Sequence, residues 1–475
     1  MEVRPAGERD AMRYRRTSPR LPDEVAVNPL FARLGERRVP RYSLGTDEML
    51  PETAYQLIHD EILLDGNARQ NLATFVTTWM EREAGELYAE AADKNIVDKD
   101  EYPLTAAIEN RCVHIIANLW HAPDSHAAMG TSTVGSSEAC MLGGLALKRR
   151  WQRARAAEGK PADRPNIVFS SAVQVVWEKF ANYWEVEPRY VPVTADRPAL
   201  TPEGVLDAVD ENTIGVVAIL GVTYTGAYEP VADIAAALDD LHERTGLDVP
   251  VHVDAASGGF VAPFLHPTLR WDFRLNRVHS INASGHKYGL VYPGVGWAVW
   301  RTKECVPEEL VFKVAYLGGE ESTFNLNFSR PGAQVLLQYY NFLRLGRRGF
   351  TRVQQAAYDV AETIAHGLAA MKAFEVMYPG TDLPVVCWRL ADGHTGNWDL
   401  YDLSNRLRAR GWMVPAYPLP KNREDVVVMR IVVRNGLSGD LAHLLLEDIA
   451  DALKFLERLR ERLPTEGRTT SSFHH

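Results

Sequence analysis

A chain of 475 residues with a formal charge of −10 is long enough for two packed domains, and its acidity argues against nucleic acid as its main partner. Apolar residues make up 46% and charged residues 24% of it, as in an ordinary globular protein. No segment approaches the roughly 20 apolar residues of a membrane span, so no stable membrane insertion is expected. The four cysteines stand far apart without a Cys-x-x-Cys pair. This spacing disfavours a metal site or disulfide framework and predicts a cytoplasmic protein.

The pattern of apolar residues predicts three regions and a tail. Residues 1–60 are rich in Arg, Pro and Glu and predict an N-terminal arm that ends in a short amphipathic helix. Residues 61–335 alternate short β-rich runs with helical runs, which predicts a large α/β domain with a mainly parallel sheet. Residues 336–463 predict a smaller α+β domain, and residues 464–475 a flexible polar tail.

The predicted strands of the large domain are residues 166–170, 214–224, 249–254, 280–283 and 296–300. Helices are predicted at residues 231–245 and 333–372. The smaller domain is predicted to contain strands 374–377, 384–390 and 426–433 and helices 399–410 and 440–462. Ligands bind beyond the carboxyl ends of parallel strands, so residues that follow these strands are the first candidates for a site.

Two short motifs suit the ends of a flat, phosphorylated cofactor. Gly135-Ser136-Ser137-Glu138 precedes a helical run, and the free N–H groups of a helix start favour a phosphate. Taken alone, such a motif is more often a plain N-cap. Asp254 ends an apolar strand, where a carboxylate needs a cation such as a protonated pyridine nitrogen. A capping Asp before the Gly258-Gly259 turn is an equal alternative.

Two basic residues complete the set. Lys287 follows an apolar strand in Ser284-Gly285-His286-Lys287; most lysines are solvated, but a desolvated Lys can form a Schiff base with an aldehyde. Arg430 shares an apolar strand face with valines and would bind a carboxylate there, or form a structural ion pair. A phosphate anchor, a pyridine partner, an aldehyde-binding lysine and a carboxylate clamp are together what pyridoxal 5′-phosphate (PLP) chemistry on amino acids requires.

The chain closely resembles the glutamate decarboxylases of bacteria and plants, which are PLP-dependent group II decarboxylases. The resemblance extends from about residue 40 to the end of the small domain, and its motifs are residues 64–75, 130–145, 221–226, 252–260 and 284–289. It implies the fold-type I architecture of PLP-dependent transferases. It also implies decarboxylation of L-glutamate to 4-aminobutyrate and CO2, with one proton consumed per turnover.

The same resemblance implies roles for individual residues at the cofactor. Lys287 would bind PLP covalently, Asp254 would keep the pyridine nitrogen protonated, and His286 would complete the catalytic set. Gln174 would stack on the cofactor ring with Ala256 on its opposite face, and Thr223 would lie near the ring oxygens. The phosphate would be held by Ser136, Ser137, Ser284 and His286, with Ser329 from a neighbouring subunit.

Further residues are implied to serve the substrate and its control. Arg430 would bind the α-carboxylate of the substrate, and the distal carboxylate would be bound by Thr74, the backbone of Phe75, Asn95 and Asp98. Asp98 beside a substrate carboxylate would share a proton with it and favour mildly acidic pH. Tyr316 and Leu317 resemble a flap over the neighbouring active site.

The C-terminal tail offers two readings. His475 resembles a histidine that closes the site as pH rises, although this chain stops one residue earlier than that pattern and has His474 where it has a lysine. A trailing His pair is equally typical of a solvated tail. The tail lacks the Trp and Lys of a calmodulin-binding segment, so calmodulin is not an expected partner.

The assembly and the rival functions remain open at this point. A homo-oligomer is expected, a dimer at least because Ser329 and the flap would act across subunits, with a hexamer plausible by resemblance. One rival is the same fold acting on another amino acid, such as aspartate or an aromatic one, or acting as a related carbon–carbon lyase. The motif around Thr74 and Asp98 suits a second carboxylate rather than an aromatic ring. The other rival is a PLP-binding protein without activity, which the presence of Lys287, Asp254 and Arg430 disfavours.

Overall fold

The computed structural model describes residues 39, 41–45, 48–194, 198–314 and 321–463. Two compact units are distinguished, Met1–Gly66 and Asn67–His475. In the first unit, helix α1 spans Pro51–Ile62, and proline at its start suits the first turn because its fixed φ is helical. None of the residues of α1 is buried.

A seven-stranded sheet lies at the centre of the second unit, within the described part of the chain. Its strands are β1 Met129–Thr133, β2 Asn166–Ser170, β3 Glu187–Val191, β4 Thr213–Ile219, β5 Val251–Asp254, β6 Val278–Ser284 and β7 Gly296–Trp300. They lie in the order β1-β7-β6-β5-β4-β2-β3. Strands β3, β2, β4, β5 and β6 run parallel, whereas β7 is antiparallel to both β6 and β1.

Helices cover the sheet because strands such as β4 are apolar on both faces. In β4, Val216 and Ala218 belong to one hydrophobic cluster, whereas Val217 and Ile219 belong to another. The helices of this region are α2 Arg82–Glu90, α3 Pro103–Leu119, α4 Ser136–Ala157, α5 Val175–Tyr183, α6 Pro202–Ala208, α7 Val231–Thr245 and α8 Ala262–Leu265. Helix α4 packs across β4, β5, β6 and β7.

A smaller antiparallel sheet follows, after the short paired strands β8 Phe312–Val314 and β9 Glu321–Thr323. Its strands are β10 Phe374–Tyr378, β11 Val385–Leu390, β12 Ala416–Pro418 and β13 Val427–Val432, in the order β10-β11-β13-β12. Helices α9 Ala333–Ala369, α10 Leu400–Arg408 and α11 Gly439–Leu456 accompany it and enclose a separate hydrophobic cluster. Of the helices in the described residues, none combines the length and apolar character needed to cross a bilayer.

The predicted fold class is confirmed: a large, mainly parallel sheet with helices and a smaller α+β part. Helix α7 has the predicted bounds because Gly246, at φ 75°, stops it. The strand predicted at 214–224 ends earlier, at Ile219, since the chain turns at Gly221 (φ 111°). The helix predicted at 333–372 is interrupted at Gly346 (φ 55°). The domain boundaries proposed from the sequence stay a prediction.

Candidate active site

Several of the predicted residues lie at one edge of the large sheet, where its parallel strands end. Asp254 and Ser284 are the last residues of β5 and β6, while Gln174 and Thr223 follow β2 and β4 by four residues. In an open α/β sheet this edge is where ligands bind. The carboxyl ends of four neighbouring strands therefore bring together residues that are far apart in the sequence.

Asp254 is buried, and donors surround its carboxylate. Oδ1 accepts hydrogen bonds from Asn282 Nδ2 at 2.9 Å and from the Ala256 N–H at 3.1 Å, and Oδ2 accepts from Trp177 Nε1 at 2.9 Å. Cys140 Sγ donates to Oδ2 at 3.7 Å. Burial raises the pKa of the Cys140 thiol well above its ordinary value, and the nearby Asp254 adds to this shift, so the thiol keeps its proton. All four neighbours donate, which suits a carboxylate because it only accepts.

Lys287 lies in the turn that follows β6, and its amine donates to Ser257 Oγ at 3.2 Å. The amine is also 5.1 Å from the ring centroid of Phe75. Burial lowers the pKa of Lys287, the positive charge of Arg430 lowers it further, and the Asp254 carboxylate opposes the shift. A lysine with a lowered pKa is more often a neutral amine, which is the form that attacks an aldehyde.

The loop of Lys287 is fixed by the segment that contains the predicted distal pocket. The Thr77 N–H donates to the carbonyl of His286, and Thr77 Oγ1 donates to that of Lys287, both at 2.7 Å. Arg434 holds the same segment: its Nε donates to the Thr74 carbonyl at 3.1 Å, and its Nη2 donates to the carbonyls of both Ala68 and Asn71. Residues 68–77 therefore connect the lysine turn to the end of β13.

Three of the predicted phosphate residues, Ser136, Ser137 and His286, lie at the first turn of α4. Ser136 is its first residue, and β7 passes directly beneath it: a Cβ at Gly296 would lie 2.4 Å from the Gly135 carbonyl carbon. His286 Nδ1 accepts from the N–H groups of Gly294 and Val295 at 3.4 and 3.3 Å. Burial, with the charge of Lys287, lowers the pKa of His286 to about 4. The neutral ring therefore carries its proton on Nε2, as a donor.

Arg430 is buried beside the lysine. Its guanidinium donates to the Thr223 carbonyl and, at 2.8 Å, to the Ala73 carbonyl. The guanidinium carbon is 4.7 Å from the ring centroid of Phe75, so this one ring contacts both Arg430 and Lys287. A cavity of about 500 Å³ opens here, and its lining includes Gln174, Thr223, Tyr417 and Arg430. Gln174 accepts the Val176 N–H at 2.6 Å and so caps α5.

The residues predicted for the distal carboxylate fall into two groups. Thr74 and Phe75 belong to the segment beside Lys287, and Thr74 Oγ1 accepts the Val76 N–H at 3.0 Å. Asn95 Nδ2 instead donates to Asp98 Oδ2 at 2.8 Å and to Ser329 Oγ at 3.4 Å. Asn95, Asp98 and Ser329 thus form a cluster of their own, in which Ser329 is exposed. Tyr316, Leu317 and His475 lie outside the described residues.

Four buried residues at the site were not singled out from the sequence. They are Cys140 and Trp177 beside Asp254, Asn282 on β6, and Ser257 beside Lys287. A signal for Asn282 was present, because polar residues alternate with apolar ones along β6 although both of its faces are covered. Trp177 and Cys140 carry no such signal, because both lie on helices and pack among apolar side chains. Among the described residues, no three His, Cys, Asp or Glu side chains converge to hold a metal ion.

The family described as pyridoxal-dependent decarboxylase conserved domain matches residues 44–391. The chain belongs to the pyridoxal-dependent decarboxylase family. It is 51% identical over 438 residues to a protein of Aliivibrio fischeri named glutamate decarboxylase, covering 92% of this chain and 94% of that one. It is 49% identical over 436 residues to the glutamate decarboxylase beta of Listeria monocytogenes, covering 91% and 94%. The solved structure of a Lactobacillus brevis glutamate decarboxylase superposes with a TM-score of 0.87 at 50% identity, over 89% of this chain and 96% of that chain. The predicted resemblance is confirmed.

The site of this family member also fits PLP on its own chemistry. Ser284 Oγ is buried and has no hydrogen-bond partner among the described residues, so it requires an acceptor or donor from outside them. Ser284, the His286 Nε2–H and the first turn of α4 suit a phosphate, and the buried Asp254 suits a protonated pyridine nitrogen. The cofactor predicted from the sequence is confirmed by the family, and the role of each residue stays a prediction.

Proposed function

We propose that this protein decarboxylates L-glutamate to 4-aminobutyrate and CO2, consuming one proton per turnover. The observation that supports this reaction is that two groups contact the same aromatic ring. The Lys287 amine lies 5.1 Å and the Arg430 guanidinium carbon 4.7 Å from the ring centroid of Phe75. The choice of glutamate is supported by relatives about 50% identical that bear the name glutamate decarboxylase.

Different residues of the chain would bind the cofactor and the substrate. When bound, PLP supplies a sink for the electrons that remain when CO2 leaves. Lys287, with its lowered pKa, would hold the cofactor through its amine, and Asp254 would hold a proton at the pyridine nitrogen. Arg430 would bind the α-carboxylate and orient the bond that breaks, since its planar guanidinium suits bidentate binding. Gln174 and Ala256 would enclose the ring, and Thr223 would lie near its oxygens.

The cluster of Asn95, Asp98 and Ser329 supports an assembly with shared sites. If Ser329 binds the phosphate of a neighbouring subunit, then Asn95 and Asp98, which are hydrogen-bonded with it, belong to that neighbouring site as well. Thr74 and Phe75 would bind the distal carboxylate from the chain that carries Lys287, and Asn95 and Asp98 from its partner. The protein is then a homo-oligomer of at least two subunits, with the flap at Tyr316 and Leu317 acting across the same interface.

Two further proposals concern location and control. Four free cysteines, three of them buried, are in keeping with a cytoplasmic enzyme. Activity is proposed to favour mildly acidic pH, through Asp98 and through closure of the site by His475. Removing residues 471–475 is then expected to extend activity toward neutral pH, and an unaltered pH–activity profile would contradict the role of the tail.

The test is a decarboxylation assay of the holoenzyme with L-glutamate, L-aspartate and L-tryptophan in parallel, from mildly acidic to neutral pH. We expect CO2 and 4-aminobutyrate from glutamate, loss of activity by roughly 10³-fold or more in Lys287→Ala, and unchanged activity in the exposed control Lys372→Ala. Turnover of L-aspartate or L-tryptophan, without turnover of L-glutamate, would contradict glutamate as the substrate. Bound PLP without any turnover would overturn the enzymatic function.

A further inference from the structure

A row of polar side chains crosses the buried face of two paired strands. His252 and Asp254 alternate on β5, and Ser280, Asn282 and Ser284 alternate on β6, all of them buried. The register pairs His252 with Ser280 and Asp254 with Asn282. Polar groups buried at such positions cost free energy unless hydrogen-bonded, and valine would serve the sheet better. The row therefore requires an explanation beyond packing.

Four members of the row, Ser280, His252, Asn282 and Asp254, form a hydrogen-bonded chain with a defined direction. Asn282 must turn its amide nitrogen toward Asp254, because a carboxylate only accepts, and its Oδ1 then faces His252 Nε2 at 2.7 Å. His252 Nε2 accordingly donates to Oδ1. Burial lowers the pKa of His252 to about 4, against the opposing effects of Asn282 and Asp254, so the ring is neutral. Its Nδ1 accepts from the Ser280 hydroxyl at 2.7 Å.

Asn282 connects the two ends of the cofactor site through one amide group. Its Nδ2 donates to Asp254 Oδ1 at 2.9 Å and to Ser136 Oγ at 3.1 Å. Asp254 is the partner of the pyridine nitrogen, and Ser136 starts the helix whose first turn faces the phosphate. Because Ser136 Oγ accepts from Asn282, the hydroxyl proton is directed elsewhere and is available to a phosphate oxygen.

We propose that Asn282 is a positioning residue, which fixes the pyridine-binding carboxylate and the phosphate-binding helix start relative to each other. His252 and Ser280 orient its amide so that both N–H groups point to these partners. The polar row replaces apolar side chains because the two ends of PLP need fixed, complementary groups before the cofactor arrives. This inference concerns cofactor binding and does not depend on glutamate as the substrate.

The first experiment measures the dissociation constant of PLP in Asn282→Ala, by titration of the apoprotein followed through cofactor absorbance. Losing hydrogen bonds to a charged partner is expected to weaken PLP binding about 10- to 100-fold. Asn166→Ala is a matched control: Asn166 is also fully buried in the sheet, donates to the Asp210 carboxylate at 2.8 Å and accepts from Thr213 Oγ1 at 2.7 Å. An equal loss in both variants, or no loss in Asn282→Ala, would overturn the proposal.

The second experiment separates positioning from general destabilisation. At saturating cofactor, the ¹⁵N chemical shift of ring-labelled PLP reports the proton on the pyridine nitrogen, which a purely structural defect would leave unchanged. We expect the protonated fraction to fall in Asn282→Ala and to recover in part in Asn282→Gln, which keeps the amide. An unchanged shift in Asn282→Ala would contradict the proposal.

Ser280→Ala keeps the test decisive if Asn282→Ala does not fold. Ser280 lies at the far end of the row and contacts neither Asp254 nor Ser136 through its described hydrogen bond to His252. Without the Ser280 hydroxyl, His252 Nδ1 has no donor to fix the tautomer of the ring. PLP binding is therefore expected to weaken about two- to fivefold. Binding equal to that of the unchanged protein, measured on the folded variant, would reject the proposed chain of orientation.

Discussion

Two regions of the molecule differ in how completely a single chain forms them. One is the edge of the large sheet that contains Asp254 and Lys287, and the other is the cluster of Asn95, Asp98 and Ser329. At the sheet edge, Asp254 is buried and accepts from four donors of its own chain. In the cluster, Asn95 and Asp98 are partly exposed, Ser329 is exposed, and a single amide links the three. A binding site fixed within one chain keeps its geometry without a partner, whereas a half-exposed cluster gains its full environment only on assembly or substrate binding.

The largest effect is expected at the centre of the buried region. Asp254→Asn removes the negative charge and turns an amide toward groups that already donate, so kcat should fall roughly 10³-fold. Asp210→Asn is the matched control, because Asp210 accepts hydrogen bonds from Asn166 and Arg189 far from the cofactor residues. Steady-state kinetics at saturating PLP measures both. A kcat of Asp254→Asn within tenfold of the unchanged protein would remove Asp254 from the reaction.

A second prediction concerns Glu229, a buried carboxyl of the same region with fewer compensating groups than Asp254. Burial raises the pKa of Glu229 to about 7, although the N–H groups of Ile219 and Leu200 donate to it. In the unfolded chain, the ordinary pKa of a glutamate carboxyl, 4.5, applies to Glu229. The native state therefore binds more protons between these values, and the contribution of Glu229 to stability declines by about 3 kcal/mol as pH rises from 4.5 to 7.

Glu229→Gln should remove this decline. Urea unfolding of both proteins, at fixed protein and PLP concentrations and at pH values on either side of the interval, gives the difference in the free energy of unfolding. The unchanged protein is expected to lose stability relative to the variant as pH rises. Parallel pH profiles of the two proteins would show that Glu229 does not titrate there.

A third prediction concerns the guanidinium of Arg430 at the same sheet edge. Arg430→Lys keeps the charge and loses the planar, bidentate geometry, so KM for glutamate should rise about 10- to 100-fold with a smaller change in kcat. Arg389→Lys is the control, because Arg389 pairs with Glu375 and Asp392 on the surface. If both variants retain the KM of the unchanged protein, Arg430 serves the Thr223 and Ala73 carbonyls rather than the substrate.

The smallest effect is expected in the half-exposed cluster. Repulsion between Asp98 and the distal carboxylate of glutamate should raise KM as pH increases, and Asp98→Asn should flatten that rise by roughly two- to fivefold, since exposed charges interact weakly. Asp100→Asn, two positions away and exposed, is the control. An identical dependence of KM on pH in all three proteins would separate Asp98 from the substrate.

The sequence predicted the fold class and the position of the chemical groups better than their surroundings. Asp254 and Lys287 could be identified because Asp254 ends one buried strand and Lys287 follows another, and such strands end at one edge of a parallel sheet. Trp177 could not, because it meets Asp254 across 77 residues through helix packing that no local pattern encodes. The link between Asn95 and Ser329, 234 residues apart, and the antiparallel β7 were beyond reach for the same reason.

The hydrogen bonds of Arg434 also join parts of the chain that are synthesised at different times. Ribosomes release residues 68–77 early, yet the side chain that holds the Thr74 carbonyl is added 360 residues later. Arg430, which holds the neighbouring Ala73 carbonyl, arrives almost as late. A growing polypeptide that has reached Lys287 already contains Asp254, Ser136 and Asn282 but none of the guanidinium groups that fix the segment around Phe75. The part of the molecule that receives the cofactor is thus synthesised before the part proposed to recognise the amino acid is complete.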